Sequence, residues 1–209
     1  MVFDPQPGLK GELLELRPLR ADDYDRLFGV ASDPLIWEQH PNRDRYKEEV
    51  FKVFFREALQ RGGALIATDS KTGQVIGSSR FHGYDPERDE VEIGWTFLAR
   101  SHWGGLYNKE MKQLMLRHAF RFVNRVIFLV GPQNFRSRKA VEKIGGVRVR
   151  SGPDGGGRNS FIYQITVSTF AQHSASGARP TKTIAEIDET PGLNTAFAAP
   201  CPPHQANSI

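Results

Sequence analysis

Apolar residues along the chain recur at two spacings, and the spacing assigns the elements. Residues 13–19 (LLELRPL) crowd apolar side chains into a short run stopped near Pro18, a first strand. Tyr24, Leu27, Phe28 and Ala31 then fall three or four apart behind the candidate caps Asp22 and Asp23, the spacing of an amphipathic helix that Ser32-Asp33-Pro34 ends. Residues 35–41 mix aromatic and polar side chains without a period. Val50, Phe51, Phe54, Phe55 and Ala58 restore the helical spacing over residues 46–61, and Gly62-Gly63 closes that helix. Strands are predicted over 64–68 and 75–84 around the turn 69–73, and over 90–98 after the loop 85–89. A helix beginning after Gly105 buries Met111, Leu114, Met115 and Phe122, and His118 shares that face as a satisfied core residue. Residues 126–130 (VIFLV) lack polar alternation, as in a strand covered on both faces. Residues 134–144 form another helix, stopped by Gly145-Gly146, and 147–150 with 161–166 make a final hairpin.

The 209 residues, 39% hydrophobic and 25% charged, fit one α/β (α+β) domain over 1–168. Residues 169–209 hold five of the thirteen prolines and neither Tyr nor Trp, and are expected to be a disordered or surface-draped tail, or one laid on a partner subunit. No apolar run approaches the ~18 residues of a membrane span, and the first residues lack the regions of a signal peptide. A single cysteine, Cys201, excludes an internal disulfide and a Cys-based metal site; a cytoplasmic location and no metal are expected.

Charge divides the chain. Residues 99–150 carry twelve Lys or Arg against Glu110 and Glu142, whereas residues 1–98 carry 13 basic and 18 acidic residues. The first balance suits a polyanion and the second a cationic acceptor. The basic half joins a local device. Gly104-Gly105 permit close backbone approach, and the helix that follows leaves its first N–H groups unpaired at a positive dipole end, so the turn can hold an anion. No aromatic-basic RNA motif accompanies the positive charge, so a small phosphorylated ligand fits better than nucleic acid.

Two stretches, SHWGGLYNKEMKQLMLRHAF (101–120) and NFRSRKAVEKIGG (134–146), together with the element order, resemble the GCN5-related N-acetyltransferase (GNAT) superfamily, and within it the RimJ/RimL group that acetylates protein N-termini. The resemblance implies a GNAT fold: a central mixed, mostly antiparallel twisted sheet of about seven strands flanked by about four helices, with a V-shaped split between the fourth and fifth strands, here 90–98 and 126–130. It implies acetyl-CoA as donor, a primary amine such as a protein N-terminus as acceptor, and a monomer or homodimer. The diphosphate would lie along Arg100, His102, Trp103, Gly104, Gly105, Leu106, Tyr107 and Asn108. The family loop usually reads Gln/Arg-x-x-Gly-x-Gly/Ala; here Ser101 stands first, Arg100 one place early, and Leu106 where a small residue is usual. Backbone donors are indifferent to that change.

Strand 90–98 alternates, with Val91, Ile93, Trp95 and Phe97 on one face and Glu90, Glu92, Gly94 and Thr96 on the other. A regular hairpin through 85–89 sets Tyr84 opposite Glu90, His82 opposite Glu92 and Arg80 opposite Gly94. The cleft floor is then Ser78, Arg80, His82, Tyr84, Glu92 and Thr96. Glu92 is the candidate base for the acceptor amine, or else an ion-pair partner of Arg80 or a cross-strand partner of His82. Backbone N–H groups near Phe97 and Leu98 are candidates for the oxyanion. The resemblance makes Ser137 the thiolate's proton donor, otherwise a helix cap, and assigns Asn134, Arg136 and Lys139 to CoA, with Asn134 also a plausible cap. It assigns Trp37 and His40 to the acceptor pocket, though Trp37 suits the core as well. Alternative acceptors are an amino acid, a polyamine or an aminoglycoside; a different class of function is a catalytically silent acyl-CoA-binding module.

Overall fold

The computed structural model describes residues 2–153 and 157–176. Its strands are β1 (Leu9–Lys10), β2 (Leu14–Pro18), β3 (Ala64–Asp69), β4 (Val75–Asp85), β5 (Glu90–Leu98), β6 (Arg125–Val130), β7 (Val147–Pro153) and β8 (Asn159–Thr166). They form one sheet in the order β1-β2-β3-β4-β5-β6-β8-β7, antiparallel throughout except where β5 meets β6. The eighth strand, absent from the expected seven, is β1; with two residues it is too short for a periodic signal. The expected fourth and fifth strands are therefore β5 and β6.

The helices are α1 (Tyr24–Ala31), α2 (Pro34–Trp37), α3 (Glu48–Arg61), α4 (Leu106–Ala119), α5 (Phe135–Glu142) and α6 (Val167–Ser176). Among the described residues six stand where four were expected. The aperiodic segment after Ala31 contains α2, whose start is fixed by the Asp33 carboxylate accepting from the Leu35 N–H and by proline at its first position. The expected domain end at 168 falls inside α6, and the rest of the expected tail lies outside the described residues.

Each sheet face buries its own apolar layer. Met111, Met115, Leu116 and Ala119 of α4 pack on Leu14, Leu65, Phe81, Val91 and Ile93. On the other face Leu27 of α1 and Phe51, Phe54 and Phe55 of α3 pack with Trp37, Ile66 and Phe97. At roughly 1.5–3 kcal/mol for each fully buried large side chain, these layers fix the distance of each helix from the sheet. His118 is satisfied in the first layer, its Nε2 2.7 Å from the Asp4 carbonyl and its ring against Phe3, Phe81 and Phe122.

Helix α4 is also fastened by polar contacts. The Glu110 carboxylate accepts from the N–H groups of Glu12, Leu13 and Leu14 at 2.9, 2.9 and 3.0 Å. A Cβ on Gly11 would stand 2.5 Å from Glu110 Oε2, so that approach requires glycine. The Tyr107 hydroxyl donates to Asp69 Oδ2 at 2.6 Å, tying the first turn of α4 to the end of β3. Glu110→Ala should cost about 2–3 kcal/mol, because three backbone donors lose a charged acceptor. That corresponds to a fall in Tm of roughly 5–10 °C in a domain of this size; an unchanged melting curve would refute the role given to Glu110.

Candidate active site

Strands β5 and β6 pair only at Glu90–Arg125, Val91–Val126 and Glu92–Ile127, and then part. The rest of β5 and β6 line a cleft of about 970 Å³ that runs from the start of α4 to the α2–α3 side of the sheet. The opening follows from a bulge. Arg80 opposes Gly94 and His82 opposes Glu92, as alternation predicts, but Ser78 opposes Phe97 and Asp85 opposes Glu90. Trp95 carries the irregularity at φ +51°, a left-handed conformation costly for an aromatic residue. The extra residue swaps the faces. Trp95 meets His82 edge-on at 5.1 Å and lies 4.9 Å from the Arg80 guanidinium, on the face of Glu92, and Phe97 joins the α3 layer. Thr96 turns toward α4. The expected apolar face Val91-Ile93-Trp95-Phe97 is thus corrected, and a Cβ at Gly94 would come 2.9 Å from Glu92 Oε1, so glycine gives the carboxylate its room.

At the opposite mouth, Gly104 and Gly105 adopt φ +104° and +118°, conformations that favour glycine, and face open space. Gly105 precedes α4 with no side-chain cap, and among the described residues no acceptor is assigned to the N–H groups of Leu106, Tyr107 and Asn108. The donors expected to hold an anion are therefore exposed. Leu106 is 71% exposed and does not fill the turn. Trp103 is a latch: its Nε1 donates to the Leu98 carbonyl at 2.9 Å and its ring carries the Arg136 guanidinium at 4.1 Å. His102 lines the cleft 3.8 Å from Asp69, whose carboxyl the Tyr107 hydroxyl holds well below the usual carboxylate range.

Several expected ligand contacts are otherwise engaged. Arg100 binds Asp33 at the start of α2 and does not line the cleft. Arg136 lines the cleft but donates to the Ile36 carbonyl at 2.6 Å, so it joins α5 to α2; Lys139 lines the cleft as well. Asn134 caps α5 by accepting from the Ser137 N–H at 3.1 Å, and Ser137 lines the cleft without being the cap. Trp37 is 2% exposed and donates its indole N–H to the Ala31 carbonyl, a core residue with one edge on the cleft. Tyr84 stacks on Phe3 beside a separate small pocket, away from the cleft, because the bulge beyond His82 moves it out of register. Ser78 is buried and donates to the Leu65 carbonyl, not to the cleft. His40, Arg80 and His82 line the same end of the cleft as Glu92.

Two groups escaped the sequence reading. Arg45, buried near Trp37 and Phe54, had no periodic signal around it. Lys112 had one, since it shares the buried stripe of Leu116 and Ala119. Its Nζ lies 3.1 Å from Ser79 Oγ, bonds Thr96 Oγ1, and sits 5.7 Å from the Phe128 ring at the floor of the cleft. Burial lowers its pKa from 10.5 to about 7. Because the folded value lies below the unfolded one, the unfolded chain holds the extra proton between about pH 7 and 10.5. Stability should therefore rise with pH through that window. The full penalty, on the order of 5 kcal/mol, applies below it. Lys112→Met should raise Tm at neutral pH and flatten its rise between pH 7 and 9.5; Ser79 and Thr96, 2.8 Å apart, still satisfy each other. A lower Tm would show that the ammonium stabilises the fold.

Known proteins share this fold. The acetyltransferase (GNAT) domain family matches residues 14–147. YkkB of Bacillus subtilis (strain 168), itself uncharacterized, is 29% identical over 142 residues, 63% of this chain and 80% of its own. A GCN5-related N-acetyltransferase from Brucella melitensis superposes with TM-score 0.69 at 18% identity, covering 81% of this chain and 85% of that one. Mycobacterium smegmatis RimJ in complex with CoA-disulfide does so with TM-score 0.58 at 20% identity, covering 82% and 94%. At these identities the structural likeness establishes the fold, while the family match spans more than half of the sequence. The chain belongs to the GNAT family and is an N-acetyltransferase.

Proposed function

We propose that the protein transfers an acetyl group from acetyl-CoA to a primary amine bound at the Glu92 end of the cleft, by direct attack in a ternary complex. The observation that carries this reading is continuity: one cleft joins the uncapped N-terminus of α4, the parted strands and Glu92. Acetyl-CoA, the donor used by the family, brings an activated thioester with a thiol leaving group. The residues present fit it. The N–H groups of Leu106, Tyr107 and Asn108 would hold the diphosphate, with Lys139 adding positive charge. The unpaired edge of β5 beyond Glu92 offers backbone donors for the oxyanion. Ser137 is free of capping and would protonate the departing thiolate, an easy task at a reference pKa near 8.5.

Glu92 would accept the proton of the acceptor ammonium, directly or through water. An α-amine, at a reference pKa of roughly 7.7–8.0, needs only modest help, whereas a lysine at ~10.4 needs more. The resemblance to the RimJ/RimL group favours a protein N-terminus, and the fold shared with RimJ supports it. Leu106 is exposed and does not fill the turn, which supports a working loop over a silent CoA-binding module.

Release of CoA thiol, followed with peptide and small-amine acceptors, tests the reading; saturable acetyl-CoA binding with no turnover on any amine would refute it. Glu92→Gln should lower kcat about 100-fold with acetyl-CoA affinity within about threefold, and an unchanged kcat would give the proton to another group. Gly104→Val should weaken CoA binding at least tenfold, on the order of 1.4 kcal/mol, because φ +104° suits glycine. Unaltered affinity would contradict the phosphate-loop assignment.

A further inference from the structure

The acceptor end of the cleft is built around two buried guanidinium groups that the reaction described above does not use. Arg80 is 3% exposed and Arg45 9% exposed. Arg80 lies against the Trp95 face, and Phe54 is within 4.5 Å of the Arg45 guanidinium and 5.7 Å of that of Arg80. Glu57 attracts both guanidinium groups and Glu92 attracts Arg80, yet burial and the neighbouring arginines outweigh them and lower both pKa values to about 10, and Arg80 Nε is buried with no hydrogen-bond partner. A buried cation is ordinarily paired, because desolvation without compensation is expensive.

His40 deepens the imbalance. Its Nδ1 faces the Asn42 N–H at 2.9 Å and its Nε2 faces Arg45 Nη1 at 3.2 Å. A neutral imidazole accepts at one nitrogen only, so one of the two donors is left facing another donor. Burial and Arg45 push the His40 pKa down to about 3, so the ring is neutral at physiological pH. Arg61, Glu57 and Glu92 line this end beside Arg45 and Arg80, and among these five groups positive charge exceeds negative by one.

We infer that the amine acceptor carries a carboxylate, held by Arg45 and Arg80 while its amine faces Glu92. The inference rests on the acetyltransferase reading of this cleft. Guanidinium forks match a carboxylate edge to edge, and the aromatic rings hold those forks in place. Arg80 opposes Gly94 while Glu92 lies two residues along β5, so the anion and amine subsites are about one strand repeat apart, roughly 7 Å. One end attracts an anion and the other an ammonium, the charge pattern of an amino acid or of a peptide beginning with an acidic residue. Glu92 nearby makes a monoanion a better fit than a doubly charged phosphate. Polyamines and aminoglycosides would bring further positive charge against the arginines.

Thiol release with matched acceptors tests this. Glutamate is compared with its diamide, a peptide beginning with Glu with one beginning with Gln, and spermidine serves as the cationic acceptor. The carboxylate member of at least one pair should be preferred at least tenfold in kcat/KM, and the pair that shows it identifies free amino acid or peptide. Arg45→Gln and Arg80→Gln should each shrink that ratio about tenfold, with Arg80→Lys restoring part of it. Neither Gln variant should melt lower, since burial is the dominant influence on each guanidinium and disfavours its charge. Equal use of both members of each pair, preference for spermidine, or a ratio that survives both substitutions would overturn the inference while leaving the acetyltransferase reading intact. Absence of thiol release with every acceptor would instead defeat that reading. A binding arm then decides the anion subsite: millimolar glutamate should raise Tm in the wild type and not in Arg80→Gln, and no shift in the wild type would overturn the proposal.

Discussion

A sheet that opens in its middle exposes backbone donors and acceptors that a regular ladder would satisfy, and the site depends on that opening. β5 and β6 share three register pairs before they part. Each is anchored on its far side. β6 runs in unbroken register with β8 from Arg125–Thr166 to Val130–Phe161, and β5 returns to pairing with β4 at Phe97 and Leu98 beyond the bulge. With both strands fixed elsewhere, the gap cannot close by local rearrangement, and its polar backbone is left for a ligand. The positive φ at Trp95 is the local cost, held in place by ring contacts on the cleft face.

The opening is useful only because its two mouths are rigid. Near α4, Tyr107–Asp69 and the clasp of Glu110 on the N-terminal segment set the helix start relative to the sheet. Near α2, Arg136 reaches from α5 to the Ile36 carbonyl, and its backbone N–H donates to Gln39. Arg100 ties the residue after β5 to Asp33. Arg100 and Arg136, which resemble phosphate ligands by position, thus serve as braces, and the backbone N–H groups at the start of α4 remain the candidates for an anion. Helix-start donors need no side-chain charge, which is why the unusual Ser101 leaves the loop workable.

Much of this was legible in the sequence. Period-3.6 stripes gave α1, α3 and α4, the glycine pair at 145–146 closed the helix expected over 134–144 that stands as α5, and the turn chemistry around 69–73 and 85–89 gave the meander that follows α3. The pairings His82–Glu92 and Arg80–Gly94 followed from loop length alone, because a hairpin turn fixes register next to it. Register failed on either side, at Tyr84 and beyond Gly94, where an extra residue shifts the count. Alternation cannot announce a bulge: Trp95 is apolar and fits a core face as readily as a cleft wall. Gly94 beside it was the available hint.

Sequence by itself determined the elements, their order, the glycine turn before α4 and the carboxylate at position 92, since these follow from local periodicity and backbone chemistry. Tertiary structure decided which arginines brace the elements and which are buried on the cleft wall, that Lys112 lies under the parted strands, and that Tyr84 faces away. Those outcomes depend on distances between residues far apart in the chain, such as Arg136 and Ile36 or Lys112 and Thr96. Charge shows the difference plainly. Net charge is a property of a segment, but the field inside a cleft belongs to the few side chains that folding brings to its wall.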